Sequence, residues 1–281
     1  MWIVFPLRKS AYDPQQHHSR AVLSDPGVFC LAFEARVLWP LGYPEQALQK
    51  SQAALTLARE LSYPPNLAAV LYGTAMLHQV RRERRLAQEL AGAAIALGRE
   101  LGLLHWEAYG SIVHGWALAM QGQWEEGIAQ IQQGLVAQHA TGAEIAHPTF
   151  LGLLTEAHAA AGQAEAGLGV LAEALALVDH TGERYGEPEL YRLKGELLLQ
   201  QTVPDASQAE ACFQQGLAVA RRQQARSWEL RTAMSLSRLW QQQGRRQEAR
   251  ALLAPVYHWF TEGFDTADLQ DAKTLLEELE R

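Results

Sequence analysis

The apolar positions of this chain recur at helical spacing, in pairs of segments divided by turn residues. Within 107–142, Ile112, Val113, Trp116, Leu118 and Met120 mark one helix, and Ile128, Ile131, Leu135 and Val136 mark a second. Gly122 stands between them where a left-handed C-cap is needed, and Gly142 stands at the far end. Gly127 and Gly134 fall inside the second helix. A glycine there costs roughly 0.8–1 kcal/mol against alanine, so its presence predicts a close approach of two helices.

The same unit returns along the chain. Gly127 aligns with Ala47, Ala87 and Gly167 at a spacing of forty and, after a two-residue insertion near 202–207, with Ala209 and Ala249. Gly134 aligns with Ala54, Ala94, Ala174, Gly216 and Val256. The turn glycine returns as Gly42, Gly162 and Gly244, with Arg82 in its place once, and the end glycine as Gly102 and Gly182, with Ser62 in its place once. A fixed period of this size predicts stacked helical hairpins. The expected fold is all-α: a right-handed superhelical solenoid of about six antiparallel hairpins over 27–263. Residues 1–26, broken by Pro6, Pro14 and Pro26, are expected to be irregular. Residues 264–281 predict a capping helix, N-capped by Asp265 or Thr266, with Leu269, Ala272, Leu275, Leu276 and Leu279 on one face and charge on the other. Pro255 predicts a kink in the last outer helix.

A helix carrying Gly115, a turn glycine seven residues on, then small residues at 127 and 134, resembles the tetratricopeptide repeat. The forty-residue period exceeds that family's usual 34, which implies longer helices. Several runs resemble something more specific: Tyr12–Gln16 (YDPQQ), Leu41–Leu48 (LGYPEQAL), Gly182–Leu199 (GERYGEPELYRLKGELLL), Ala209–Phe213 (AEACF) and Trp259–Leu269 (WFTEGFDTADL). They are similar to the C-terminal repeat region of bacterial signalling proteins that carry a class III adenylate/guanylate cyclase-like domain and an AAA-type signal-transducing ATPase. That resemblance implies a regulatory, protein-interaction role, with a neighbouring ATPase domain as one candidate partner. It carries over no catalytic residue, because the domains that hold them are not matched.

Composition narrows the function classes. Hydrophobic residues make up 48% of the chain, ample for a core, and the net charge of −7 argues against a general nucleic-acid binder. Cys30 and Cys212 lack metal or redox spacing. No run approaches the roughly 20 apolar residues of a membrane span, so a soluble, cytoplasmic protein without a membrane partner is expected. There is no phosphate loop, no H-x-x-x-H pair and no nucleophile elbow. His78, His114 and His158 read as inward-facing repeat positions rather than ligands. Neither an enzyme, a cofactor nor a metal site is expected. The basic turn Arg81–Arg85, with Arg245 and Arg246 at the same place four repeats later, suits solvated turns better than a phosphate or acidic-partner contact.

In repeats of this kind the first helix of each hairpin lines the concave face. Those positions are Tyr72, Met76, Tyr109, Ile112, Trp116 and Met120 in the N-terminal half. In the C-terminal half they are Glu156, Glu189, Arg192, Glu196, Arg231, Met234 and Arg238. An apolar shelf running into a charged one suits a peptide or amphipathic helix with aromatic and arginine anchors. Trp116 and Tyr109 equally suit burial within the stack. The alternative is a small-molecule sensor holding its ligand on the Trp116 side. An enclosed apolar pocket of a few hundred Å³ favours the sensor, and an open groove with unpaired arginines favours the peptide binder.

Overall fold

The computed structural model describes residues 25–142 and 145–281, and among these the chain is all-α, with no strand. The six hairpins are α1 (Pro26–Leu38) with α2 (Pro44–Glu60), α3 (Pro64–Val80) with α4 (Arg84–Glu100), and α5 (Leu104–Ala119) with α6 (Trp124–Ala140). They continue as α7 (His147–Ala160) with α8 (Ala164–Thr181), α9 (Glu187–Gln200) with α10 (Ala206–Gln223), and α11 (Arg226–Gln242) with α12 (Arg246–Tyr257). The last helix is α13 (Ala267–Glu280). The YDPQQ run and nearly all of the irregular segment expected over 1–26 lie outside the described residues. Asp25 and Pro26 start α1: the Asp25 carboxylate accepts the N–H groups of Gly27 and Val28, and proline sits at the first helical position.

The odd-numbered helices stack in file along the inside, and the even-numbered ones form the outer layer. Each outer helix buries one stripe at 4-3-4 spacing: Ala47, Ser51, Ala54 and Ala58 on α2, and Ala87, Ala91, Ala94 and Gly98 on α4. The inner helices from α3 to α11 are covered more completely, because each meets its hairpin partner, two inner neighbours and the interior. On α3 burial extends to Asn66, Thr74, His78 and Gln79. At the third hairpin the close approach that the glycines predict is present. A Cβ on Gly127 would lie 2.5 Å from the Gly115 carbonyl oxygen, and one on Gly115 would lie 2.7 Å from that of Gly127.

Most of the turns follow one backbone recipe, ending the helix with a left-handed residue, whereas α9 ends in extended backbone at Gln201. Gly122 has φ +90°; where glycine is missing, Arg82 (+63°) and Ser62 (+50°) adopt the same region, at a cost of roughly 1–2 kcal/mol for a residue with a side chain. The two-residue insertion falls in the loop before α10, where the Asp205 carboxylate caps the helix through the Gln208 N–H at 2.8 Å. Thr266 occupies the N-cap position of α13, but its hydroxyl donates to the Gly263 carbonyl instead of capping. Pro255 lies in the final turn of α12, which ends two residues later at Tyr257.

The repeat period does not by itself foretell what happens at the ends: the array curls round until they meet. Trp39, Ala47, Leu77 and Val80 form one apolar cluster with Ala220, Ala225 and Trp228. The Trp39 and Trp228 rings meet edge-on, 4.6 Å between centroids, and Ser227 donates its N–H to Pro40 O and its hydroxyl to Trp39 O. Beside this, the Glu262 carboxylate accepts the N–H groups of Glu45 (2.9 Å) and Gln46 (3.1 Å). It thereby caps α2, whose own N-cap Tyr43 contributes no side-chain bond. Gly263 returns a bond from its N–H to the Glu45 carboxylate at 2.7 Å. Gly263 has φ +76°, and a Cβ there would lie 2.2 Å from Pro44 Cγ, so no other residue fits this joint unaltered.

Arg81 and Arg82 of the basic turn also serve this seam. Arg81 donates to Pro44 O at 3.0 Å, while Arg82 pairs with Asp268 (3.2 Å) and Asp271 (2.6 Å) on α13. Arg245 is likewise engaged, by Glu210 and Glu248.

Candidate functional site

Because the ends meet, the inner helices face one another across a narrow interior. In its C-terminal half the charged residues answer each other. Glu189 on α9 holds Arg192 through two bonds, 2.8 and 2.7 Å, and Glu196 stands 3.4 Å from the same guanidinium while accepting the Ser235 hydroxyl at 2.6 Å. Arg231 on α11 donates to Asp268 at 2.8 Å and to the Val80 carbonyl, and stands 3.6 Å from Glu189. Its guanidinium also lies over the Trp39 and Trp228 rings, 5.0 and 5.2 Å from their centroids. Burial opposes ionisation of Glu189, yet Arg192, Arg231 and Arg82 hold its pKa below the ordinary carboxylate range.

Glu156 on α7 is the exception in this network. Its carboxylate accepts the Trp116 indole N–H at 2.6 Å, with Glu189 nearby. Burial and then Glu189 push its pKa up, more than Arg192, Trp116 and Arg231 bring it down. A carboxyl whose folded pKa is raised binds its proton more tightly in the native state. Its contribution to stability therefore declines as pH climbs from the ordinary value of 4.5 through the raised one. Glu156→Gln keeps an acceptor for Trp116 and removes that charge. Melting temperatures from pH 4 to 8 should show the variant gaining on the parent toward high pH and losing the advantage in acid. A constant difference, or a less stable variant at pH 8, would contradict the assignment.

The N-terminal half of the interior is apolar and aromatic. Tyr72 stacks 5.3 Å from Tyr109 and 5.7 Å from Trp106, and Tyr109 lies 5.2 Å from Phe150. Between α1, α3, α5 and the loop before α9 these rings leave a cavity of about 360 Å³. Its walls include Phe33 and Arg36 of α1, Asn66 and Met76 of α3, Trp106 of α5, and Tyr185. Phe29 and Phe33, one turn apart on α1, are half-exposed, with ring centroids 4.2 Å apart. His105 is on the same wall, its pKa lowered by burial.

The sequence-derived groove residues thus part company. Tyr72, Met76 and Tyr109 line the cavity. Ile112 and Trp116, 0% and 1% exposed, belong to the core behind it, and Met120 packs against the same core. Glu156, Glu189 and Arg231 border a smaller space of about 40 Å³ together with Met76. Arg192 and Glu196 sit in the charged network, Met234 is buried in the C-terminal core, and Arg238 is exposed on α11. Sequence reasoning missed Phe29, Phe33, Arg36, Asn66, Trp106 and Tyr185. The available signal was two phenylalanines four apart on the inner helix of the first hairpin. His78, His114 and His158 pair with Glu83, Gln130 and Gln163. Among the described residues no cluster of histidine, cysteine and carboxylate side chains could hold a metal ion, and no helix is long and apolar enough to cross a membrane.

The sequence matches no protein-family model and no curated protein. Among solved structures it is similar to two versions of the nearly identical TPR-like repeats of a Podosopora anserina kinesin light chain. One is 16% identical with TM-score 0.42, covering 82% of this chain and 92% of that one. The other is 15% identical with TM-score 0.42, covering 90% and 97%. The TPR2AB domain of yeast Sti1, solved in complex with pHSP90, is 11% identical with TM-score 0.38, covering 90% of this chain and 98% of that one.

Proposed function

We propose that this chain is a non-catalytic regulatory module that takes a small molecule inside its ring of helical hairpins. The observation that carries this reading is the cavity of about 360 Å³ with its aromatic walls. That volume falls within the roughly 300–1,000 Å³ of small-ligand pockets. Two of the three arginines expected to anchor a peptide support the same choice: Arg192 and Arg231 are already paired with Glu189 and Asp268, while Arg238 is exposed. In keeping with the resemblance of its LGYPEQAL and WFTEGFDTADL runs, the module would act as the C-terminal sensor of a bacterial cyclase/ATPase signalling protein, passing occupancy on to a neighbouring domain.

A second reading, a protein-interaction module that binds a peptide, is favoured by the half-exposed Phe29 and Phe33. There the cavity would receive one apolar side chain of the peptide rather than a whole ligand.

Gly73 gives a clean test. It lines the cavity from inside α3, and a Cβ added to it meets nothing within 4 Å. Gly73→Leu should therefore fill the space without overpacking, and it gains helix propensity on the order of 0.8–1 kcal/mol. Titration of the full chain with the neutral apolar dye Nile red should show one saturable site, lost at least tenfold in the variant, whose melting temperature is equal or higher. Absence of a saturable site, or equal binding by both proteins, would defeat the small-molecule reading.

A further inference from the structure

The cavity wall is apolar but not featureless. Of the described residues that line it, one carries a fixed charge, Arg36, and no aspartate or glutamate is among them. Arg36 has no ion-pair partner among the described residues. Its guanidinium lies over the Tyr185 ring, 5.0 Å from the centroid, and the Tyr185 hydroxyl donates to the Arg36 carbonyl at 3.2 Å, so the residue is held at both ends. Among the described residues Glu183 is a carboxylate that acts on it, and one of its oxygens already accepts the Ala146 N–H at 2.9 Å. Burial opposes the Arg36 charge, but Tyr185, Tyr72 and Glu183 together keep its pKa above the ordinary guanidinium value. It is a permanent cation on an apolar wall.

A second, independent feature is Asn66, which is 0% exposed on α3 and lines the same cavity. Its Oδ1 accepts the Asp25 N–H at 3.0 Å, and that bond fixes which way round the amide sits. The other end, Nδ2, is buried with no acceptor among the described residues. A buried donor without an acceptor is unfavourable enough to be rare. An acceptor delivered with a ligand would satisfy it.

We infer that the ligand of this cavity is an apolar monoanion, its carboxylate received by the Arg36 guanidinium and the Asn66 amide and its hydrocarbon body lying against Tyr72, Trp106 and Tyr109. The inference rests on the small-molecule reading above and adds the chemistry of the ligand. A guanidinium without an ion-pair partner can offer a carboxylate two parallel donors, and the neutral amide adds a third without competing charge. His105, kept from protonating by burial, leaves Arg36 as the cation of the wall near neutral pH among the described residues. The rings suit either an alkyl chain or a fused aromatic body, and the binding experiment separates these.

Isothermal titration of the full chain with decanoate, 2-naphthoate and their neutral counterparts decan-1-ol and 2-naphthalenemethanol tests the assignment. At least one acid should bind roughly tenfold to a hundredfold tighter than its alcohol, the scale of a charge-assisted hydrogen-bond pair. In Arg36→Met, which keeps the apolar stem, that preference should vanish while the alcohol changes less than threefold. Gly73→Leu should abolish binding of acid and alcohol alike. Equal affinity of acid and alcohol in the parent would overturn the anion assignment while leaving the cavity as a ligand site. Binding by none of the four compounds would overturn both. The acid-to-alcohol ratio of the parent decides the question even where Arg36→Met does not fold.

Discussion

Replacing Trp39 by alanine should open the ring without unfolding the repeats. Trp39 is 3% exposed, meets Trp228 edge-on and lies under the Arg231 guanidinium. Truncating a buried tryptophan costs about 3–5 kcal/mol, and here that loss includes the contacts with Trp228 and Arg231 that join the two ends of the array. The stability of a stacked array otherwise comes from each hairpin and its neighbours, which Trp39→Ala leaves intact from α4 through α10. What remains of the seam is the rest of its apolar cluster, the edge-on contact of Tyr43 with Trp259, the Glu262 cap on α2 and the pairs of Arg82 with Asp268 and Asp271. The Arg82–Asp271 pair is substantially exposed, and such pairs contribute about 1 kcal/mol or less. Hydrogen exchange should quicken in α1, α2 and α13 and stay slow in α5–α8, and the radius of gyration from X-ray scattering should rise. Uniform loss of protection would mean that seam and repeats melt as one unit. An unchanged profile would mean that the tryptophan contact holds nothing.

This seam marks the limit of what the residues disclose in order. Period and small-residue positions suffice for the hairpins, because a helix pair is a local event. Ala47, Ala87, Gly127, Gly167, Ala209 and Ala249 all lie buried at the same place in their hairpins. Curvature accumulates over the whole array, so the meeting of Trp39 with Trp228 depends on many small rotations that no single position encodes. The same holds for the interior. Counting inner-face positions reaches Tyr72, Met76 and Tyr109, which do line the cavity. It also reaches Arg192 and Arg231, whose partners Glu189 and Asp268 close on them because the inner face meets itself and α13. Arg36 and Asn66 were hidden for another reason. Each looks ordinary on its own helix and becomes unusual only when the surrounding apolar wall is known.

The third hairpin carries the second large effect. Across the six hairpins, the inner and outer positions equivalent to Gly115 and Gly127 by repeat register are Ala35/Ala47, Ala75/Ala87, Gly115/Gly127, Thr155/Gly167, Gly195/Ala209 and Ser237/Ala249. Every pair but the third supplies at least one Cβ, so α5 and α6 alone meet with bare backbone on both sides. A Cβ on Gly127 would lie 2.5 Å from Gly115 O and 2.6 Å from Ala119 N, and these are backbone atoms that cannot swing aside. Gly127→Ala should therefore destabilise the chain by about 1–3 kcal/mol of overpacking, reduced by roughly 0.8–1 kcal/mol of helix propensity. Gly115→Ala faces a comparable conflict, its Cβ lying 2.7 Å from Gly127 O and 2.9 Å from Ile131 N. The double variant discriminates between two accounts. If one alanine already forces the helices apart to the spacing of the Gly195/Ala209 hairpin, the second alanine finds room, and the combined loss falls short of the sum. If the hairpin is clamped by its neighbours, the losses add or exceed the sum. The latter is expected, because Ile112, Trp116 and Ile131 around the joint are at most 1% exposed and hold α5 and α6 against α7. Urea unfolding of the parent, both single variants and the double variant measures the coupling directly, and a double variant as stable as either single one would rule the clamp out.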